Sequence, residues 1–261
     1  MTSNAPNAQT GRRRKAIIIT NTYENNSYQN SLPETKVDAR DMKTTLQLIG
    51  FSVVLHVNLI LKDMIKAIQR FTEQLDPTDE PLFYFSGHGF VIDGVQFLAP
   101  DNMKSLSLSN AKANIKAGYN ILHAQCLFMK TVQASDKIFI MDCCRTCFNG
   151  RVFSTKTPAI FRCFQRKSVY QSTIDAYKTL SHEPVARNLT CLFATNLSNE
   201  SAADTSTSSC YMPSKYTKAL LPLIQQRKTT SEIQEEMNFK VQQEGWEQIP
   251  MMISDKANYR F

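Results

Sequence analysis

Short apolar runs that each stop at a polar or glycine-bearing turn constrain this chain more than any other feature. Ala16–Thr20, Phe51–Val57, Leu82–Phe85, Lys137–Met141 and Leu189–Thr195 are short and rich in β-branched or aromatic side chains. Runs of that length bounded by turn residues read as strands, mostly buried on both faces. Between them, apolar residues recur at helical spacing. They fall at 37, 42, 46, 48 and 49 before Gly50, and at Leu61, Ile65, Ile68, Phe71 and Leu75 before Asp76-Pro77. A glycine stop and a proline stop mark two amphipathic helices. Further helices are expected over 117–131, 213–227 and 230–243. A strand pair around Asp93-Gly94 and a short C-terminal strand complete the set. Alternating strands and helices define an α/β fold, with a mainly parallel central sheet of about six strands and helices on both faces.

The charge has a location that limits its meaning. The formal net charge is +7, but Arg12-Arg13-Arg14-Lys15 supplies four positive charges, and 151–187 holds seven basic residues against two acidic ones. The remainder is slightly acidic, so no folded basic face is expected and nucleic acid is not an expected partner. No apolar run reaches the roughly 20 residues of a membrane span. Without an apolar signal core, the expected location is cytoplasmic, the basic run also being compatible with nuclear import. Seven cysteines at irregular spacing then imply reduced thiols.

Two reactive side chains stand just past strand ends. His88 lies in Ser86-Gly87-His88-Gly89, and Cys144 follows Asp142-Cys143. Ligands bind outside the carboxyl ends of strands in parallel sheets, so both are delivered to one sheet edge. A thiol with a pKa near 8.5 needs a base or a positive field to act as nucleophile, and an imidazole supplies it. The N–H groups of Gly89 and Cys144 would form an oxyanion hole. Plainer readings exist: a structural histidine in a glycine turn, a buried cysteine acting as a small hydrophobe, and Cys144/Cys147 as a redox or zinc CxxC. No second CxxC or His pair accompanies it, and there is neither a phosphate-loop nor a GxSxG motif.

Phe83–Gly89 followed by Phe139–Arg145 resembles the caspase-like cysteine peptidases. The His and Cys stand 56 residues apart, against about 50 in the caspase signature. The resemblance covers residue 15 to the end and implies the caspase-like fold. It implies a basic polar tail (1–14), a larger segment (15–147), a basic linker (148–188) and a smaller segment (189–261). Asp142-Cys143-Cys144-Arg145 is nearer to paracaspases and metacaspases than to true caspases, and nearest to paracaspases. It lacks the metacaspase Cys-His-Ser-Gly pattern. The match makes Cys144 the nucleophile and His88 its partner. Leu32 stands where an Asp-directed caspase keeps an arginine. Asp38 and Asp142 fall where the related families keep pocket acids, with Asp204 as a looser third.

Carboxylates would bind a guanidinium or ammonium group, so cleavage after Arg or Lys in protein substrates is expected. Asp38 has a competing role as a helix-start charge, and Asp142 as a capping group. Arg151, Lys156, Arg162, Arg166 and Lys167 are candidate self-cleavage sites. The chemistry requires no cofactor and no metal; calcium dependence is left open, and family likeness raises homodimerisation. An Asp-directed caspase and a weakly active regulatory homologue are the competing functions.

Overall fold

The computed structural model describes residues 13–26, 31–92, 95–103, 118–132, 135–144, 146–148, 188–195, 214–246, 249–254 and 258–261. The six-stranded sheet contains β1 (Arg14–Thr20), β2 (Phe51–Val57), β3 (Glu80–Gly87), β7 (Lys137–Cys143), β9 (Leu189–Phe193) and β10 (Met251–Ser254). Their spatial order is β10-β9-β7-β3-β1-β2, and only β10 runs antiparallel. The expected α/β class, strand number and dominant parallel pairing are all present. A second sheet, β6-β5-β4-β8, lies beyond the carboxyl end of β3. It comprises β4 (Gly89–Ile92), β5 (Val95–Leu98), β6 (Tyr119–Asn120) and β8 (Thr146–Phe148).

Alternation along the central strands sorts the core into two layers. Ile17, Ile19, Phe83, Phe85, Phe139 and Met141 pack beneath α2 (Leu61–Glu73) and α3 (Ile121–Thr131). Ile18, Leu82, Tyr84, Ile138 and Ile140 pack on the other face with α1 (Thr35–Leu48), α4 (Lys215–Gln225) and α5 (Thr230–Glu244). Both faces being covered explains why these strands read as continuous apolar runs.

The differences from the sequence reading are local. The helix expected over 117–131 starts at Ile121, because Tyr119 and Asn120 pair with β5, and the Asn120 side chain then caps Leu122 N–H at 2.9 Å. β7 runs on to Cys143, two residues past the expected end, held by pairing with β3. β8 had no sequence signal. Arg14 and Lys15 are strand residues: Arg14 pairs with Glu80, and Lys15 with Asp79. They belong to the sheet's amino-terminal edge and are not a free cationic tail. Among the described residues, no helix is long and apolar enough to cross a membrane.

Candidate active site

Register places the two reactive residues. In the parallel β3–β7 pair, Ser86 stands opposite Asp142 and Gly87 opposite Cys143. His88 and Cys144 are therefore the next residues on adjacent chains, leaving the same rim where strands lie about 4.8 Å apart. Both are half-buried, whereas Cys143 is buried in the core beneath α2 and α3. Of the two neighbouring thiols, the one past the strand end is the one within reach of solvent.

The glycine after the histidine is dictated by the approach of the two chains. A Cβ on Gly89 would lie 2.7 Å from Cys143 Sγ and 2.8 Å from both the Cys144 carbonyl oxygen and Gln96 Nε2. No side chain fits there. The ladder bond from Ala99 N–H to His88 C=O (2.9 Å) alternates with the non-bonded pair Gly89/Leu98. Gly89 N–H is thus directed away from β5, toward the side on which Cys144 lies. Buried Gln96, on β5, donates through Nε2 to the carbonyls of Phe97 (3.0 Å), Phe90 (3.2 Å) and Cys144 (3.3 Å). It ties the nucleophile's chain to the histidine's sheet.

Tyr23 holds the histidine from beneath. Its hydroxyl accepts from His88 N–H at 3.0 Å and donates to Ala99 C=O at 2.7 Å, while the two rings lie 4.5 Å apart. Burial drives the phenol pKa far above its ordinary value, so it remains a neutral donor and acceptor. Its backbone sits at φ 57, in the left-handed region, with Tyr23 N–H donating to Asp101 Oδ1 at 3.2 Å.

On the α1/α4 face of the same rim lie the acidic residues. Asp38, in the first turn of α1, is fully buried: Ser86 Oγ donates to Oδ2 (2.8 Å) and Ser214 N–H to Oδ1 (2.7 Å). Asp142 accepts from the hydroxyls of Ser214 and Thr217, the latter at 2.8 Å. Burial, reinforced by the Asp142 charge, raises the Asp38 pKa well above the carboxylate range. A third acid had escaped the sequence reading. Glu34 stands one turn before Asp38, is 8% exposed, and has its pKa raised by burial and by Asp142. Among the described residues, neither Asp38 nor Glu34 makes an ion pair.

The structure thus brings together His88, Gly89, Cys144, Asp38 and Asp142. Asp204 and the linker positions Arg151, Lys156, Arg162, Arg166 and Lys167 lie outside the described residues. Leu32 packs against the cluster of Tyr23, Phe90, Phe97, Ala99 and Met103. Among the described residues, no three His, Cys, Asp or Glu side chains are placed to hold a metal. Tyr23, Gln96, Glu34 and Ser214 carry no motif of their own. Only a polar Gln96 between apolar Val95 and Phe97, and a lone aromatic Tyr23 in a polar loop, could have drawn attention to them.

A family profile described as Caspase domain matches residues 13–261. Among solved structures, the chain is similar to caspase-1 from Spodoptera frugiperda, with a TM-score of 0.63 and 18% identity over 97% of this chain and 94% of that one. No curated protein matches.

Proposed function

Since the chain belongs to the caspase-domain family of cysteine peptidases, we propose that it is an endopeptidase of the paracaspase type that cleaves after Arg or Lys. The observation that carries this reading is the β3–β7 register, which sets His88 and Cys144 side by side at one rim. In the proposed reaction His88 takes the Cys144 thiol proton, and the thiolate adds to the substrate carbonyl. The Gly89 and Cys144 N–H groups hold the oxyanion. His88 returns the proton to the leaving amine, and water then releases the acid half of the substrate from the thioester.

Basic specificity is supported by three buried acids on the pocket side, two of them without an ion pair among the described residues. A guanidinium would supply the missing charge. Leu32, packed in an apolar cluster, leaves no cation at the position the resemblance assigns to an arginine. One observation favours the competing Asp-directed reading. Both Asp38 oxygens already accept from neutral donors, which gives Asp38 a purely structural use.

The experiment is turnover of fluorogenic peptides ending in Arg, Lys or Asp. The expected result is Arg and Lys turnover that Cys144→Ala abolishes. Asp turnover alone would reject the specificity, and turnover surviving Cys144→Ala would reject the nucleophile. Self-processing at Arg151, Lys156, Arg162, Arg166 or Lys167 and pairing of two copies through the C-terminal segment extend the same proposal. A third acidic contact from Asp204 belongs with them.

A further inference from the structure

Away from the rim, the sheet has an edge with which no further described strand pairs. β2 pairs only with β1 and closes the sheet on that side. An edge strand is ordinarily blunted by lysine, proline or a bulge, because its free N–H and C=O groups template another strand. β2, Phe-Ser-Val-Val-Leu-His-Val, has neither lysine nor proline, and Val54 and Val57 are 41% and 42% exposed. Ala67 and Phe71 turn the buried side of α2 toward the sheet, leaving a groove of about 450 Å³ between that helix and β2. Val54, Leu59 and Phe71 give it an apolar floor, and half-buried His56 lines it.

The wall above the floor is charged. Lys66 and Arg70 line the groove, are exposed, and make no ion pair or hydrogen bond among the described residues. Asp63 lines it too, but at the helix start, so the sign is positive only over the later turns of α2. The spacing is informative. Four helical residues advance about 6 Å, and same-face residues of a strand repeat at about 6.6 Å. Two acidic side chains at alternate positions of an added strand would therefore meet Lys66 and Arg70 in turn.

We propose that the β2–α2 groove is a docking site for an extended acidic segment of a partner protein, bound as an added strand on β2 with Glu-x-Glu spacing. The charge excludes this chain's own basic residues 12–15 as occupant. It also disfavours a second copy, whose β2 would bring a second Lys66/Arg70 pair to the same edge. The mode is strand addition, in which main-chain bonds give affinity and alternate side chains give selection.

The test is fluorescence anisotropy with full-length Cys144→Ala protein and a fluorescein-labelled heptapeptide, Thr-Val-Glu-Val-Glu-Val-Thr. Its counterpart carries Gln for Glu. The expected result is binding of the acidic peptide that weakens with salt, exceeds that of the Gln peptide, and falls by about tenfold or more in Lys66→Glu/Arg70→Glu. Val54→Lys, which places a blocking charge on the floor, should weaken both peptides. No binding, equal binding of the two peptides, or binding that survives charge reversal would each overturn the proposal. So would sedimentation showing a wild-type dimer that Val54→Lys converts to monomer, since the occupant would then be a second copy. None of these outcomes depends on whether the rim is proteolytic.

Discussion

Tyr23 shows how one hydroxyl sets a site. It takes the His88 N–H and gives its own proton to Ala99, so replacing it by phenylalanine keeps the ring contact and orphans a partly buried donor. Tyr23→Phe should cost about 1–3 kcal/mol of stability. It should also lower kcat about tenfold with little change in KM, because the imidazole drifts while the buried acids stay in place. Steady-state kinetics on an Arg peptide beside thermal unfolding checks both halves, and a change confined to KM would contradict it. At Asp38 the readout is pH. A carboxyl whose folded pKa is raised binds its proton more tightly in the native state. Its contribution is complete below the unfolded value of about 3.9 and is lost as pH climbs through the folded one. The melting temperature of the Cys144→Ala protein should therefore fall as pH rises above that unfolded value. Asp38→Asn should flatten that slope: its amide oxygen still accepts from Ser214 N–H, and its NH2 donates to a Ser86 hydroxyl turned acceptor. An unchanged slope would mean the carboxylate carries no such penalty.

Among elements, α4 matters most to the buried acids Asp38 and Asp142. Its N-cap, Ser214, accepts from Thr217 N–H at 3.0 Å and donates its hydroxyl to Asp142, while its N–H binds Asp38. One residue thereby joins α1, β7 and α4. Ser214→Ala should destabilise the chain by about 2–3 kcal/mol, the sum of a lost cap and a lost charge-assisted bond. It should also reduce turnover of Arg peptides more than labelling of Cys144 by an uncharged alkylating probe; equal losses would place the effect on the nucleophile instead.

This junction also marks where the sequence stopped being legible. The central strands could be read from their short apolar runs between turns, and α1 and α2 because each carries its own apolar period and stop residue. The His88–Cys144 meeting could be read because strand ends in a parallel sheet share a rim. Ser214 reaches Asp142 across 72 residues and Asp38 across 176, and Tyr23 reaches Ala99 across 76. Such contacts leave no periodic trace. β8 is three residues long and exists only through its pairing with β4. Glu34 sits beside Pro33, where it reads as an ordinary solvated charge at a helix start.

For the whole molecule, the decisive fact is that the segments on either side of the basic linker share one sheet and both cores. Lys137–Met141 of β7 pairs in register with Leu189–Phe193 of β9. Leu189, Cys191 and Phe193 enter the layer with α2 and α3, while Leu192, Ala194, Leu220 and Ile224 enter the layer with α1. Separating the segments would expose apolar surface on both faces of β7 and turn β7 and β9, each paired on two sides, into open edges, which resembles cutting a domain core in half. Cleavage anywhere in 149–187 should therefore leave the fragments together. Limited proteolysis with trypsin, whose basic specificity suits the linker, should give two bands on a denaturing gel. The same sample should show one peak of unchanged sedimentation coefficient, and circular dichroism should show no loss of sheet. The melting temperature should drop and become concentration-dependent, because unfolding then releases two chains where it released one. Fragments that part in native buffer would show that the β7–β9 pairing and the shared cores do not hold the halves. They would also make self-processing at the linker an off-switch, whereas fragments that stay together leave the His88–Cys144 rim assembled after the cut.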